Sequence, residues 1–199
     1  MLRVKEIVNS IFTSKTYILY REGVEKAWLV DIGDIEPVIA FCKEQELTIV
    51  GVFLTHTHFD HIYGILPLLE KYPDCKVYTN EYGKQALASA KLNMSRYHEM
   101  PIAYDGENIV LVHDGEEFIL IDNESAIHLY ETPGHNPSCL TMTLGNVIFT
   151  GDAYIPTIGV NTQLPHADKE LAKISLDRII KLAECKTIFS GHEINGNVE

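Results

Sequence analysis

Apolar and polar positions along the chain predict an interleaved series of short strands and helices. The runs VKEIVNSIF, TYILY and KAWLVDIG are short, rich in β-branched and aromatic residues, and divided by polar or glycine-bearing turns, which predicts an antiparallel sheet at the amino end. EPVIAFCKEQ places Val38, Ile39, Phe41 and Cys42 on one side of a helix. LTIVGVFLT is apolar without alternation, as expected of a strand covered on both faces. IYGILPLLEKY reads as the next helix, KVYTN as a strand and EYGKQALASAKLNM as a further helix, while SRYHEMPIAYDGENI reads as a loop over the site. The second half repeats this grammar. EEFILID, AIHLYETPG, CLTMTL and NVIFTGD are strands, with Gly145-Asn146 in a tight turn between the last two. DKELAKISLDRIIKL is an amphipathic helix capped by Asp168, and CKTIFS is a last strand. Two halves of strands followed by helices, with no linker between them, predict one domain over residues 1–199, with two sheets packed face to face and helices outside.

Composition narrows the class. A chain of 199 residues suffices for one substantial core. Sixteen basic against 28 acidic residues give a formal net charge of -12, which argues against a nucleic-acid partner. The amino end has no signal-peptide pattern, and no run of 18 apolar residues would span a membrane. Cys42, Cys75, Cys139 and Cys185 form no CxxC pair and read as reduced, mostly buried residues of a cytoplasmic protein.

The chemistry concentrates in THTHFDH, Thr55 to His61. His56 and His58 are two apart, so an extended segment directs both to one side. Asp60 and His61 follow where the chain turns into its helix and point to a neighbouring position. Four donors in one loop, facing two directions, suggest a pair of metal sites, each with a place left open for water. The other donors are expected at strand ends: His135 in ETPGH, Asp152 in FTGD and His192 in IFSGH each follow a small turn residue. No GK[ST] phosphate loop is present.

Together these motifs resemble the signature of the metallo-β-lactamase superfamily, in its expected order, with Asp31 in LVDIGD as its buried aspartate. The resemblance implies an α+β fold, a four-layer αββα sandwich with the metals at the edge of the two sheets. It implies that His56, His58 and His135 hold one metal, that Asp60, His61 and His192 hold the other, and that Asp152 bridges them. It implies a second role for Asp60 as a catalytic group that orients the nucleophile or accepts its proton. Asp31 would fix ligand geometry by accepting hydrogen bonds, a role that merges with a structural one. Two divalent ions are expected, zinc first, with iron or manganese as alternatives. They would make a bridging hydroxide available to attack an ester-like bond (thioester, ester or lactone) of a small molecule.

The chain looks most like small hydrolases similar to glyoxalase II, with two departures. The helical carboxy-terminal domain of that group is not found, and Val160 stands where its glycine-arginine pair would place arginine. A homodimer would supply the pocket wall that such a missing domain leaves open. The loop from Ala153 to Ala167 is expected to set substrate choice, with Tyr154 and His166 as hydrogen-bonding catalytic candidates and Asn161 and Gln163 at the entrance. Failing these, the stretch Ser95 to Asp105 would form the wall. The rival reading is an oxidoreductase resembling persulfide dioxygenases, with one iron on His56, His135 and Asp152.

Overall fold

The computed structural model describes residues 2–121 and 126–192. Strands β1 (Leu2–Val8), β2 (Lys15–Arg21), β3 (Lys26–Val30), β4 (Thr48–Phe53), β5 (Lys76–Thr79) and β6 (Ile109–Leu111) form one sheet in sequence order. Its first half is antiparallel. From β3 onward it is parallel, because helices α1 (Ile35–Glu44), α2 (Phe59–Ile62), α3 (Ile65–Lys71) and α4 (Glu81–Leu87) make the crossovers. The second sheet has the order β11-β10-β9-β8-β7, from β7 (Glu117–Ile119), β8 (Ala126–Glu131), β9 (Leu140–Leu144), β10 (Val147–Gly151) and β11 (Thr187–Ser190). Helix α5 (Lys169–Leu182) joins β10 to β11, which pair in parallel.

Strand alternation builds the layers. On β2, Tyr17 and Leu19 enter an inter-sheet core with Val30, Phe53, Leu129 and Phe149, while Ile18 faces the helices. Beneath the helices, Val38, Ile62 and Leu68 pack on the outer side of the first sheet with Val52 and Val77. Ile179 of α5 packs with Cys139 and Ile148 on the outside of the second sheet. The result is the expected helix–sheet–sheet–helix sandwich. Leu144 pairs with Val147, so Gly145 and Asn146 form the two-residue turn, with Gly145 at φ 57°. Asp168 caps α5 by accepting from the amides of Glu170 and Leu171, as its sequence predicts.

Three elements differ from the sequence reading. The helix expected over IYGILPLLEKY is broken into α2 and α3 at Gly64, where a Cβ would collide with the carbonyl of Gly33. The helix expected to run on to Met94 stops at Leu87. There Asn93 donates its side-chain amide to the carbonyls of Ala86 and Ile102 and folds the chain back. Strand β6 has no clear signal in the sequence. Cys42, Cys75 and Cys139 are buried free thiols, and Cys185 is exposed. Among the described residues, no helix is long and apolar enough to cross a membrane. The carboxy-terminal residues after His192 lie outside the described residues.

Candidate metal centre

The site forms where strands of both sheets end side by side. β4 runs into THTHFDH. Its extended backbone persists through His58, whose φ and ψ are -67° and 150°, and α2 begins at Phe59. This change from strand to helix separates the pair His56 and His58 from the pair Asp60 and His61. The second sheet brings His135 after β8, Asp152 after β10 and His192 after β11. Backbone bonds lock the two sets together. Leu140 N–H donates to Thr55 O at 2.7 Å, Gly191 N–H to Gly151 O at 2.9 Å and Lys15 N–H to Gly191 O at 2.8 Å.

All seven expected donors converge. His56, His58 and His135 offer one ring nitrogen each to a common point, and beside them a carboxylate oxygen of Asp60 meets one ring nitrogen each from His61 and His192. Between the two groups, Asp152 Oδ1 lies 3.5 Å from His61 Nε2, and its Oδ2 lies 3.2 Å from His192 Nε2 and 3.5 Å from His135 Nε2. Asp60 Oδ2 lies 3.3 Å from His192 Nε2. His58 Nδ1 and His135 Nε2 face each other at 3.0 Å. Two ring nitrogens at that separation must share a proton or a cation.

The surroundings fix which nitrogen faces inward. His135 Nδ1 donates to the carbonyl of Asn161, and His192 Nδ1 to the carbonyl of Phe12, both at 2.8 Å. A carbonyl can only accept, so Nδ1 carries the proton and Nε2 is left for a ligand. His61 Nδ1 donates to Asp31 Oδ2 at 2.8 Å in the same way. Asp31 is fully enclosed, adopts φ 57°, and also accepts from the amide and hydroxyl of Thr55 at 2.7 and 2.6 Å. Such a conformation costs free energy at a residue other than glycine, and three hydrogen bonds over-determine it here. Asn136 accepts from the amide and hydroxyl of Ser138, while its amide nitrogen stands 2.9 Å from His58 Nε2. The Pro133-Gly134-His135 turn is pinned to α5, since Ser175 donates to Pro133 O and Asp168 N–H to Gly134 O.

Electrostatics divide the cluster. Burial, then the neighbouring His61 and His58, push His56 well below the ordinary histidine pKa, and burial with His135 brings His58 to about 3. Both rings are neutral, as ligands must be. Burial also opposes charge on His61 and His192, but carboxylates outweigh it. Asp60, Asp152 and Asp31 raise His61 to about 9, and Asp152 and Asp60 raise His192 to about 11. Burial likewise works against the Asp60 and Asp152 carboxylates, yet the adjoining histidines hold both below the ordinary value. Protons on His61 and His192 thus occupy the place of a cation. Two polar atoms stay unmatched, because His56 Nε2 and Asp152 Oδ1 are buried with no hydrogen-bond partner. An orphaned imidazole nitrogen and carboxylate oxygen aimed into one cluster fit divalent metal ions.

The centre opens into a cavity of about 580 Å³ whose lining includes Phe12, His58, Asp60, Met94, His98 and Ile158. The expected Tyr154 and His166 are not among the residues that line it. The Tyr154 ring packs beneath α5 with Cys139 and Ile148, and its carbonyl accepts from Thr150. His166 is exposed, its ring 6.2 Å from that of Tyr82. The loop reaches the cavity instead through Ile155, Ile158, Asn161 and Leu164. Gln163 is exposed. Met94, Tyr97 and His98 also line the cavity, and the last two belong to the stretch from Ser95 to Asp105 named as the second choice. His98, which has no distinctive sequence context, stacks on Phe59 with ring centroids 3.8 Å apart and planes 17° apart.

A family model described as the Metallo-beta-lactamase superfamily matches residues 16–192. The chain is 28% identical over 164 residues to Glyoxylase B2 of Dictyostelium discoideum, covering 80% of this chain and 55% of that protein. It is 26% identical over 197 residues to Hydroxyacylglutathione hydrolase of Tolumonas auensis, covering 99% of this chain and 68% of that one. The chain therefore spans between about half and two thirds of these relatives' lengths. In three dimensions it is similar to the BLEG-1 B3 metallo-beta-lactamase, with a TM-score of 0.86 and 27% identity, covering 98% of this chain and 92% of the other.

Proposed function

This chain belongs to the metallo-β-lactamase superfamily, and from that premise we propose that it is a dinuclear, zinc-dependent hydrolase of ester-like bonds in a small molecule. The observation that carries the proposal is the pair of orphaned atoms, His56 Nε2 and Asp152 Oδ1, inside a cluster of seven donors from both sheets. His56, His58 and His135 would hold one ion, Asp60, His61 and His192 the other, and Asp152 both. Ions held there would lower the pKa of water and polarise a carbonyl. The chain does the remaining work. The carbonyls of Asn161 and Phe12 and the carboxylate of Asp31 orient three of the imidazoles. Asp60 stays ionised at the cavity floor, where its carboxylate can take a proton or direct one. Phe12, Met94, Ile155 and Leu164 surround the approach with apolar groups, thinning the water around a bound carbonyl.

The hydrolase family of the relatives supports the reaction type. The bond cleaved is the finer part of the proposal. Its test is metal analysis of protein purified without added metal, followed by assay against thioesters, lactones and phosphoesters. Two equivalents of zinc with thioesterase, esterase or lactonase activity are expected. One equivalent of iron with oxygen consumption on a persulfide would replace this reading with the oxidoreductase one.

A further inference from the structure

A second cavity, of about 450 Å³, lies against the metal cavity, and the two share Phe59 and His98 as common lining. Its other walls come from Ile11 beside the β1–β2 turn, Tyr63 and Leu66 around the α2–α3 break, and Pro101 and Ile102 beyond the Ser95–Tyr97 turn. Each wall is held in place. Tyr63 donates its hydroxyl to Asp34 at 2.6 Å, and Ile102 is clasped by its amide to Ser95 Oγ and its carbonyl to Asn93. Glu99 is the charged residue of this lining, and it is exposed. Among the described residues, no lysine or arginine lines either cavity.

These features bear on what the substrate carries besides its scissile bond. A glutathione conjugate presents two carboxylates, and carboxylates are recognised by cationic side chains or clustered donors. Neither cavity offers a lysine or arginine to pair with them, in a chain with a formal net charge of -12. The second cavity offers apolar surface within the volume range that holds small ligands. Large apolar side chains remain uncovered around both mouths: Phe12 is 66% exposed, Tyr97 64% and Met100 79%. Surface of this kind next to a reaction centre is available for an apolar ligand.

Resting on the hydrolase reading, we propose that the substrate is an uncharged thioester, ester or lactone with an apolar acyl chain, and that this chain lies along the Phe59–His98 stack in the cavity lined by Leu66 and Ile102. The carbonyl then sits over the metal centre while the chain extends away from it.

The test uses the metal-loaded protein and two series that differ only in chain length. The first is acyl thioesters of N-acetylcysteamine from acetyl to decanoyl, assayed for kcat/KM. The second is the matching methyl ketones, which cannot be hydrolysed, measured by calorimetry. Each buried methylene should raise kcat/KM and binding about fourfold until the cavity is full. Leu66→Trp, at a half-exposed position on the rim, should flatten both series and leave metal content unchanged. If Leu66→Trp does not fold, Ile102→Ala should shift the preferred chain to a longer one instead. Ketone binding that rises with length in the parent and flattens in Leu66→Trp supports the pocket even if no thioester is cleaved, and in that event the hydrolase reading alone fails. Cleavage with no dependence on chain length, or with the same dependence in Leu66→Trp, overturns the acyl pocket and leaves the hydrolase reading standing. Tighter binding of S-acyl glutathione than of the N-acetylcysteamine ester of the same acyl group also overturns it.

Discussion

At the scale of single residues, donors and the groups that aim them have separable effects. Asp60 lies in the first turn of α2, and its side chain faces the ring nitrogens of His61 and His192 and not the hydrophobic core. Asp60→Ala should therefore lower turnover by at least about 100-fold with loss of the second ion, while the protein stays folded. Turnover, metal content and thermal midpoint of mutant and parent decide it, and near-normal turnover with one metal gone would show the second site to be dispensable. Gly191 tests the aiming alone. A methyl group there would collide with Asp152 Oδ1 and approach the His61 ring to 2.9 Å. Gly191→Ala keeps all seven donors, yet metal affinity should fall by about 10- to 100-fold in a competitive chelator titration. Unchanged affinity would mean that the Asp152 loop yields freely. The donors were legible in the sequence because each is a residue type able to ligate a metal and stands shortly after an apolar strand. His98 and Phe59 were not, since a histidine in an irregular polar stretch and an aromatic inside the motif acquire their stacked role only through tertiary contact.

At the scale of elements, strands were more legible than helices. A run such as LTIVGVFLT is decided by burial on both faces. The helices over IYGILPLLEKY and EYGKQALASAKLNM were cut short by contacts remote in sequence, at Gly33 and at Ile102. The loop after Asp152 is a mixed case. Its length and lack of periodicity marked it as a wall of the site, and Asn161 lines it as expected, but the other contributing residues are the apolar Ile155, Ile158 and Leu164, not the hydrogen-bonding Tyr154 and His166. Tyr154→Phe and His166→Ala should accordingly keep kcat/KM within about twofold, the range of substitutions away from special contacts. Ile158→Ser should lower kcat/KM about fivefold on apolar substrates, from the partial loss of one apolar contact, with metal content unchanged. Assay of the three variants on one substrate panel checks this, and the opposite order would restore the polar residues of the loop to the site.

At the scale of the whole molecule, the metal centre joins the two sheets. Four donors follow β4 of one sheet and three follow strands of the other, so ions bound there would hold the sandwich together at one edge. Without them the joint relies on protons. The raised pKa values of His61, about 9, and His192, about 11, stabilise the metal-free fold fully below the unfolded value near 6.5. This stabilisation is lost as pH rises through the two folded values. The lowered values of Asp60 and Asp152 act in the other direction, giving stability above the ordinary carboxylate range that is lost in acid. Metal binding must displace the protons on His61 and His192, whereas His58, at about 3, has none to lose near neutrality. Occupation of the second site should therefore release protons between pH 6.5 and 8.5, and occupation of the first should release almost none. Stabilisation by the second ion should grow by about 1.4 kcal/mol per pH unit for each proton displaced, because affinity rises tenfold per unit. Calorimetric titration in buffers of different ionisation enthalpy counts the protons, and thermal midpoints with one and two equivalents of zinc across that range give the linkage. If both ions release the same number of protons and the gain from the second is flat with pH, the division into a half with neutral His56 and His58 and a half with protonated His61 and His192 is wrong.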